Sequence, residues 1–277
     1  MGSKIGSVYI KMATIRDRLW IWGQTAGSHH GNNNPYKLPG SSRMTPLEGA
    51  CYLGLRNCCR VVLNDDPQPP FDQESMALES MDQVVWSIVG DSGSLCNDDG
   101  WGDLDEVIRQ AKLFPNITGA VLDDFFIEKR LQAFSPQRLR EIRAKLQRVN
   151  DKKLDLWVVL YDRDLDSPIQ DYLNECDVIT FWTWCGENLK SLDHKFDKFL
   201  RVSSDKRRLV GYYMWNYGEG KPLTMEQLEI QSERYYKWLK EGYIEGIIFC
   251  SNCIADLGLE AVEWIKNWIT AIADEKI

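Results

Sequence analysis

The chain has 277 residues, 44% of them hydrophobic and 27% charged, with a formal charge of −8. These values suit a globular protein of one large or two small domains. No apolar run approaches the roughly 18 residues of a membrane span, and the acidic balance offers phosphates or anionic membranes no basic face, so neither nucleic acid nor a membrane is an expected partner.

The opening MGSKIGSVYIK lacks the apolar core of a signal peptide. We expect 1–17 to be an N-terminal extension or an added leader, and 18–277 to be the folded domain. A cytoplasmic location follows as the expectation, or a secreted or periplasmic one if a leader was removed. Strand one is expected over 18–24 (RLWIWGQ). It leads into a polar loop of about 20 residues, long enough to suggest a function, and then a helix over 45–55. There Thr45, Pro46 and Glu48 supply the N-cap, first-turn proline and third-position acid of a capping box.

Strand two (59–65, CRVVLND) precedes a helix over 72–81. Strand three (83–90, QVVWSIVG) precedes a helix over 103–114 that carries Leu104, Val107, Ile108 and Ala111 on one face. Strand four (118–125, TGAVLDDF) is followed by a Ser-Pro helix over 135–149. Strand five (154–162, LDLWVVLYD) leads to a short helix over 167–175, and strand six (177–184, DVITFWTW) to a helix over 188–202. Strand seven (208–216, RLVGYYMWN) precedes a helix over 224–240. Strand eight (246–252, GIIFCSN) precedes the last helix, over 257–273.

These strands are continuous apolar runs, as in parallel sheets covered on both faces. Eight strands alternating with eight helices predict an α/β fold, a single (β/α)8 TIM barrel. An open doubly wound sheet competes, but no G-x-G-x-x-G follows strand one.

Barrel chemistry sits at the C-terminal ends of the strands and in the loops after them. Those places hold Trp22, His29 and His30, then Asp65, Asp91 and Asp98, then Asp123 and Asp124. Asp162, Trp182, Trp184, Tyr213, Trp215, Asn216 and Asn252 follow. Each also has an ordinary structural reading. Asp65 and Asp91 stand in common turn sequences, the tryptophans can fill a core, and the histidines can sit in a solvated loop. Carboxylates and aromatics together nevertheless suit a sugar, whose ring faces pack on Trp and Tyr while its hydroxyls bond Asp, Asn and His. Glycosidic cleavage needs a carboxylic acid for the leaving oxygen and a carboxylate opposite it, about 5–10 Å away. Adjacent strand residues point to opposite faces, so one of Asp123 and Asp124 is expected inward, and Asp124 lies nearer the rim.

On this β/α pattern, with carboxylates ending strand four and aromatics ending strands six and seven, the chain resembles the barrel glycoside hydrolases. It departs from the two-glutamate arrangement of their largest clan, since strand four ends in Asp and strand seven in Asn216. It departs also from the chitinase-like D-x-x-D-x-D-x-E, because Phe126 stands between Asp124 and Glu128. Enzymes acting on α-linked sugars match best. By that resemblance Asp124 or Asp123 is the nucleophile, and Asp162 the acid/base. Trp22, His29, His30, Asp65, Asp91, Trp182, Trp184, Tyr213, Trp215, Asn216 and Asn252 are substrate-binding candidates. No cofactor and no metal are expected.

Two other classes compete: a metal-dependent sugar isomerase or lyase, and a carbohydrate-binding barrel without catalysis. The first wants several His, Asp and Glu ligands, and the chain has three histidines. A Schiff-base aldolase needs a lysine inside a strand, which none of these strands supplies. The eight cysteines, including Cys250-Ser-Asn-Cys253, read as packing thiols and not as a disulfide or zinc framework.

Overall fold

The computed structural model describes residues 12–31, 33–95, 99–149 and 152–277. The first eleven residues of the expected extension, with Cys96 and Asp98 of the third loop, lie outside the described residues. Eight strands form one closed parallel barrel in sequence order: β1 (Leu19–Gly23), β2 (Asn57–Arg60), β3 (Gln83–Val89), β4 (Ile117–Leu122), β5 (Asp155–Tyr161), β6 (Val178–Trp182), β7 (Arg207–Tyr213) and β8 (Gly246–Cys250). The last strand closes on the first, with Trp22 opposite Cys250 on one side and Cys59 on the other. Burial is unbroken along β1, β2, β6 and β8. That is the consequence of packing side chains inward against the barrel axis and outward against helices.

The surrounding helices are α1 (Pro46–Leu53), α2 (Asp72–Ala77), α3 (Leu104–Leu113), α4 (Glu128–Ala133), α5 (Pro136–Leu146), α6 (Gln170–Leu173), α7 (Leu192–Val202), α8 (Met225–Lys240), α9 (Asn252–Ala255) and α10 (Glu260–Ile272). The capping box at Thr45 forms: the Thr45 N–H donates to Glu48 Oε2 at 2.8 Å, and the Glu48 N–H to Thr45 Oγ1 at 3.3 Å. Residues 14–18 pack at the end of α10. There Ile15 is fully buried and its N–H donates to Glu275 O at 2.9 Å. Among the described residues no helix is long and apolar enough to cross a membrane.

Several boundaries differ from expectation for identifiable reasons. Strand two begins at Asn57, whose side-chain amide donates to Leu19 O at 3.0 Å, and its ladder ends at Arg60. The Val62 N–H goes instead to the Ser87 hydroxyl at 2.9 Å, so Val61 to Leu63 stay buried without belonging to the strand. Strand eight stops at Cys250, because the Ser251 hydroxyl accepts the Cys253 N–H at 3.2 Å and starts α9. Helices α4 and α9 were not expected at all. Each is a turn or two, too short for a helical period to register in sequence.

Candidate active site

Strand β4 delivers two carboxylates to the barrel mouth. The Asp123 N–H continues the ladder to Val89 O at 3.0 Å. The strand has ended by Asp124, which turns into a left-handed conformation with φ +41°. Its N–H donates to Asp123 Oδ1 at 2.9 Å. This turn cancels the alternation expected of a strand, and both side chains line one cavity. The expectation that one faces inward and the other outward is thereby corrected.

Asp124 is held from two neighbouring strands. Its Oδ2 accepts the Ser92 N–H at 3.0 Å, and its Oδ1 accepts the Tyr161 hydroxyl at 2.7 Å. Asp91 stands beside this pair, in the loop after β3. It accepts the Asn64 N–H at 2.8 Å, the Gly93 N–H at 3.0 Å and the Ser94 hydroxyl at 2.6 Å. The buried Arg130 of α4 braces that loop, donating to the Asp91 and Ser94 carbonyls at 2.9 Å each. Asp123 itself is 5% exposed. Burial pushes its carboxyl well above the usual range, and the charges of Asp124 and Asp91 push it further. The Asp124 N–H and the Arg130 charge pull the other way without reversing the shift. These surroundings favour the protonated form of Asp123, and Asp124 stands next to it.

Aromatic rings build the rest of the wall. Trp22 and Trp182 meet edge to face at 5.1 Å, and Trp182 meets Tyr213 at the same distance. Trp184 stacks on Tyr217 at 5.8 Å. The long loop after β1 brings Tyr36 against Tyr217 and His29, at 5.0 and 5.3 Å. His29 shares a hydrogen bond with the Tyr217 hydroxyl at 3.1 Å. Burial, and then the His30 charge, lower its pKa to about 3, which disfavours an imidazolium here near pH 7. The guanidinium of Arg163 lies over the Tyr161 ring at 4.4 Å. The cavity volume is about 270 Å³, just below the ~300–1,000 Å³ typical of ligand sites.

Among the residues singled out in the sequence, Trp22, His29, Asp91, Asp123, Asp124, Trp182, Trp184 and Tyr213 line this cavity. The structure places the others elsewhere. Asp162 is buried in an ion pair with Lys195 and accepts the Asn188 side-chain amide at 2.8 Å. Asp65 accepts the Leu95 N–H at 2.8 Å, and His30 is half-buried outside the lining. The Trp215 indole donates to Tyr36 O at 3.0 Å, behind the wall. Asn216 accepts the Gly186 N–H at 3.1 Å, and Asn252 the Gln24 N–H at 2.8 Å. Gln24, Tyr36, Ser92, Tyr161, Arg163, Tyr217 and Cys250 line the cavity without having been singled out. For Gln24, Tyr161, Tyr217 and Cys250 the strand-end rule was the available signal. Ser92, Arg163 and Tyr36 lie in the loops after strands three, five and one, where position alone did not single them out. The cysteines of the described residues are free. Among those residues no group of three or more His, Cys, Asp or Glu converges as metal ligands.

Asp162→Asn is expected to lower folding stability by about 2 kcal/mol while leaving turnover near wild type. The cost falls short of the ~3–5 kcal/mol of a fully enclosed ion pair because Lys195 keeps 19% exposure and can turn to solvent. Thermal melts run beside activity assays check this. Lost activity at unchanged stability would put Asp162 back in the site.

No protein-family model matches the sequence, and no curated protein does. Solved structures do match it. A family GH18 chitinase from Cycas revoluta superposes with a TM-score of 0.57 at 11% identity, covering 91% of this chain and 99% of its own. Endo-glycoceramidase II from Rhodococcus gives 0.52 at 11% identity, over 87% and 74%. Tryptophan synthase from M. tuberculosis gives 0.51 at 12% identity, over 94% of each chain. The chain thus shares its (β/α)8 barrel with glycoside hydrolases and with tryptophan synthase alike, a resemblance at the level of the fold.

Proposed function

We propose that the protein is a glycoside hydrolase that cleaves its substrate with Asp123 and Asp124. One observation carries this reading: two aspartates adjacent in sequence, Asp123 buried and Asp124 half-buried, line one aromatic cavity at the barrel mouth. In this reading the Asp123 O–H protonates the glycosidic oxygen as its bond to the anomeric carbon breaks. Asp124, oriented by Tyr161 and Ser92, faces the electron-deficient carbon as nucleophile or base. Water supplies the incoming oxygen; its proton goes to Asp123 if Asp124 is the nucleophile, and to Asp124 if Asp124 is the base, after which exchange with solvent resets the pair. The tryptophans and tyrosines hold the ring by its apolar face. The likeness to barrel glycoside hydrolases supports the reading through the fold only.

A panel of aryl glycosides tests it, with release of the phenol as the readout. Silence across α- and β-linked members of the panel would sink the proposal. The pH profile adds a signed expectation. Activity needs Asp123 protonated, so it falls as pH rises through the raised Asp123 pKa. Asp91 contributes to that rise, and removing its negative charge makes Asp123 easier to ionise. The alkaline limb of Asp91→Asn should therefore lie at lower pH than that of the wild type. A limb that stays in place or moves up contradicts the assignment.

A further inference from the structure

Gln24 follows directly on β1, is 4% exposed and forms part of the cavity wall. Its backbone is satisfied from one side by a single residue of α9. The Gln24 N–H donates to Asn252 Oδ1 at 2.8 Å, and the Asn252 side-chain amide donates back to Gln24 O at 2.9 Å. The same amide nitrogen also donates to Met44 O at 2.7 Å, tying down the far end of the long loop. The main chain at Gln24 is thus clamped, and its side chain is left to the cavity. There Oε1 is buried, and among the described residues no donor reaches it. A buried amide oxygen without a donor is unfavourable. The other amide atom, Nε2, is not among the buried atoms and has no partner among the described residues, so it is the group that a ligand in the cavity can reach.

We propose that Gln24 is a substrate-recognition residue whose amide hydrogen-bonds one ring hydroxyl of the bound sugar, with Asn252 as the residue that positions it. The ligand's class rests on the glycosidase reading; the unpaired amide does not. A hydroxyl both donates and accepts, so it also satisfies the site if the amide is turned over and Nε2 stands in the buried place. The inference explains why Asn252, at a strand end but outside the lining, is fully buried with every polar atom spent on backbone.

The test compares an aryl glycoside that the wild type hydrolyses with its monodeoxy analogues, each lacking one ring hydroxyl. The wild type should disfavour one analogue by about tenfold to a hundredfold in kcat/KM. Gln24→Ala and the near-isosteric Gln24→Met should bring that one ratio close to unity and leave the ratios at other positions standing. Asn252→Ala should erode the same ratio. The Gln24 variants leave the backbone clamp untouched, so their fold is expected to survive, and circular dichroism checks it. Should no glycoside be hydrolysed, the same comparison is made on binding of free monosaccharides and their deoxy forms, followed by fluorescence of the cavity tryptophans. A wild type that binds no sugar overturns the glycosidase reading and the ligand named here. A wild type that binds sugar, with every ratio unchanged in both Gln24 variants, overturns the role of Gln24 alone. Ratios that collapse at all positions together also overturn it, since they report general damage to the cavity.

Discussion

Asp123→Asn is expected to lower kcat/KM by about 10²–10⁴-fold, the usual range for a lost general acid. Asparagine keeps the shape and can still accept the Asp124 N–H, but it has no acidic proton to give. The loss should depend on the leaving group: large for weakly acidic phenols and small for nitrophenols, which depart with little protonation. An equal loss across leaving groups would mean that Asp123 is not the acid. The same substitution should make the protein more stable near neutral pH. A carboxyl whose pKa is raised on folding holds its proton more tightly in the folded state. Its contribution to stability is fully present below the unfolded-state value of about 3.9 and is lost as pH climbs through the folded value. Asp123→Asn removes that loss. Its melting temperature should exceed that of wild type at pH 7, and the gap should close as pH falls toward 4.

Gly211→Ala carries the second large effect. Gly211 lies in β7 opposite Ile248, and the Trp182 ring from β6 lies directly over it. A Cβ there would fall 1.9 Å from two carbons of that ring, a distance no packing allows. Trp182 cannot simply swing aside. Its indole N–H donates to Thr180 Oγ1 at 2.9 Å, and its ring packs against Trp22 and Tyr213. We expect a cost of about 3 kcal/mol, the upper end of the ~1–3 kcal/mol for overpacking. At roughly 2–4 °C per kcal/mol for a chain of this size, the melting temperature falls by about 6–12 °C. Activity should fall with it, because Trp182 is part of the cavity. The double variant Gly211→Ala/Trp182→Phe should recover part of the stability by vacating the space the ring occupied. A Gly211→Ala protein that melts with the wild type would show that the ring is not confined as described.

The barrel was legible because its evidence is local. Runs such as 154–162 and 246–250 are apolar on both faces, and only strands covered on both sides tolerate that. The mouth was legible for the same reason, since strand ends follow from strand positions. Strand-end position did not separate residues that face the cavity from residues that serve the backbone. N–H groups released where a ladder stops still need acceptors. Asn216 meets that need for Gly186, and Asn252 for Gln24. Both have the composition of a binding residue and spend it on the chain. Asp162, which ends its strand run much as Asp123 does, is likewise committed to Lys195.

By itself the amino-acid sequence determined the (β/α)8 barrel, the end at which polar side chains gather, and the mixture of aspartates, tryptophans and tyrosines found there. Only the tertiary structure decided which of them meet. A positive φ at Asp124 puts adjacent carboxylates into one cavity, and no period of two can express that. The upward push on the Asp123 carboxyl was likewise out of reach of the sequence. It arises from burial and from the charges of Asp124 and Asp91, and Asp91 lies 32 positions earlier in the chain. Closure of the barrel alone sets such distances, and electrostatic energies between partly buried charges depend on them steeply.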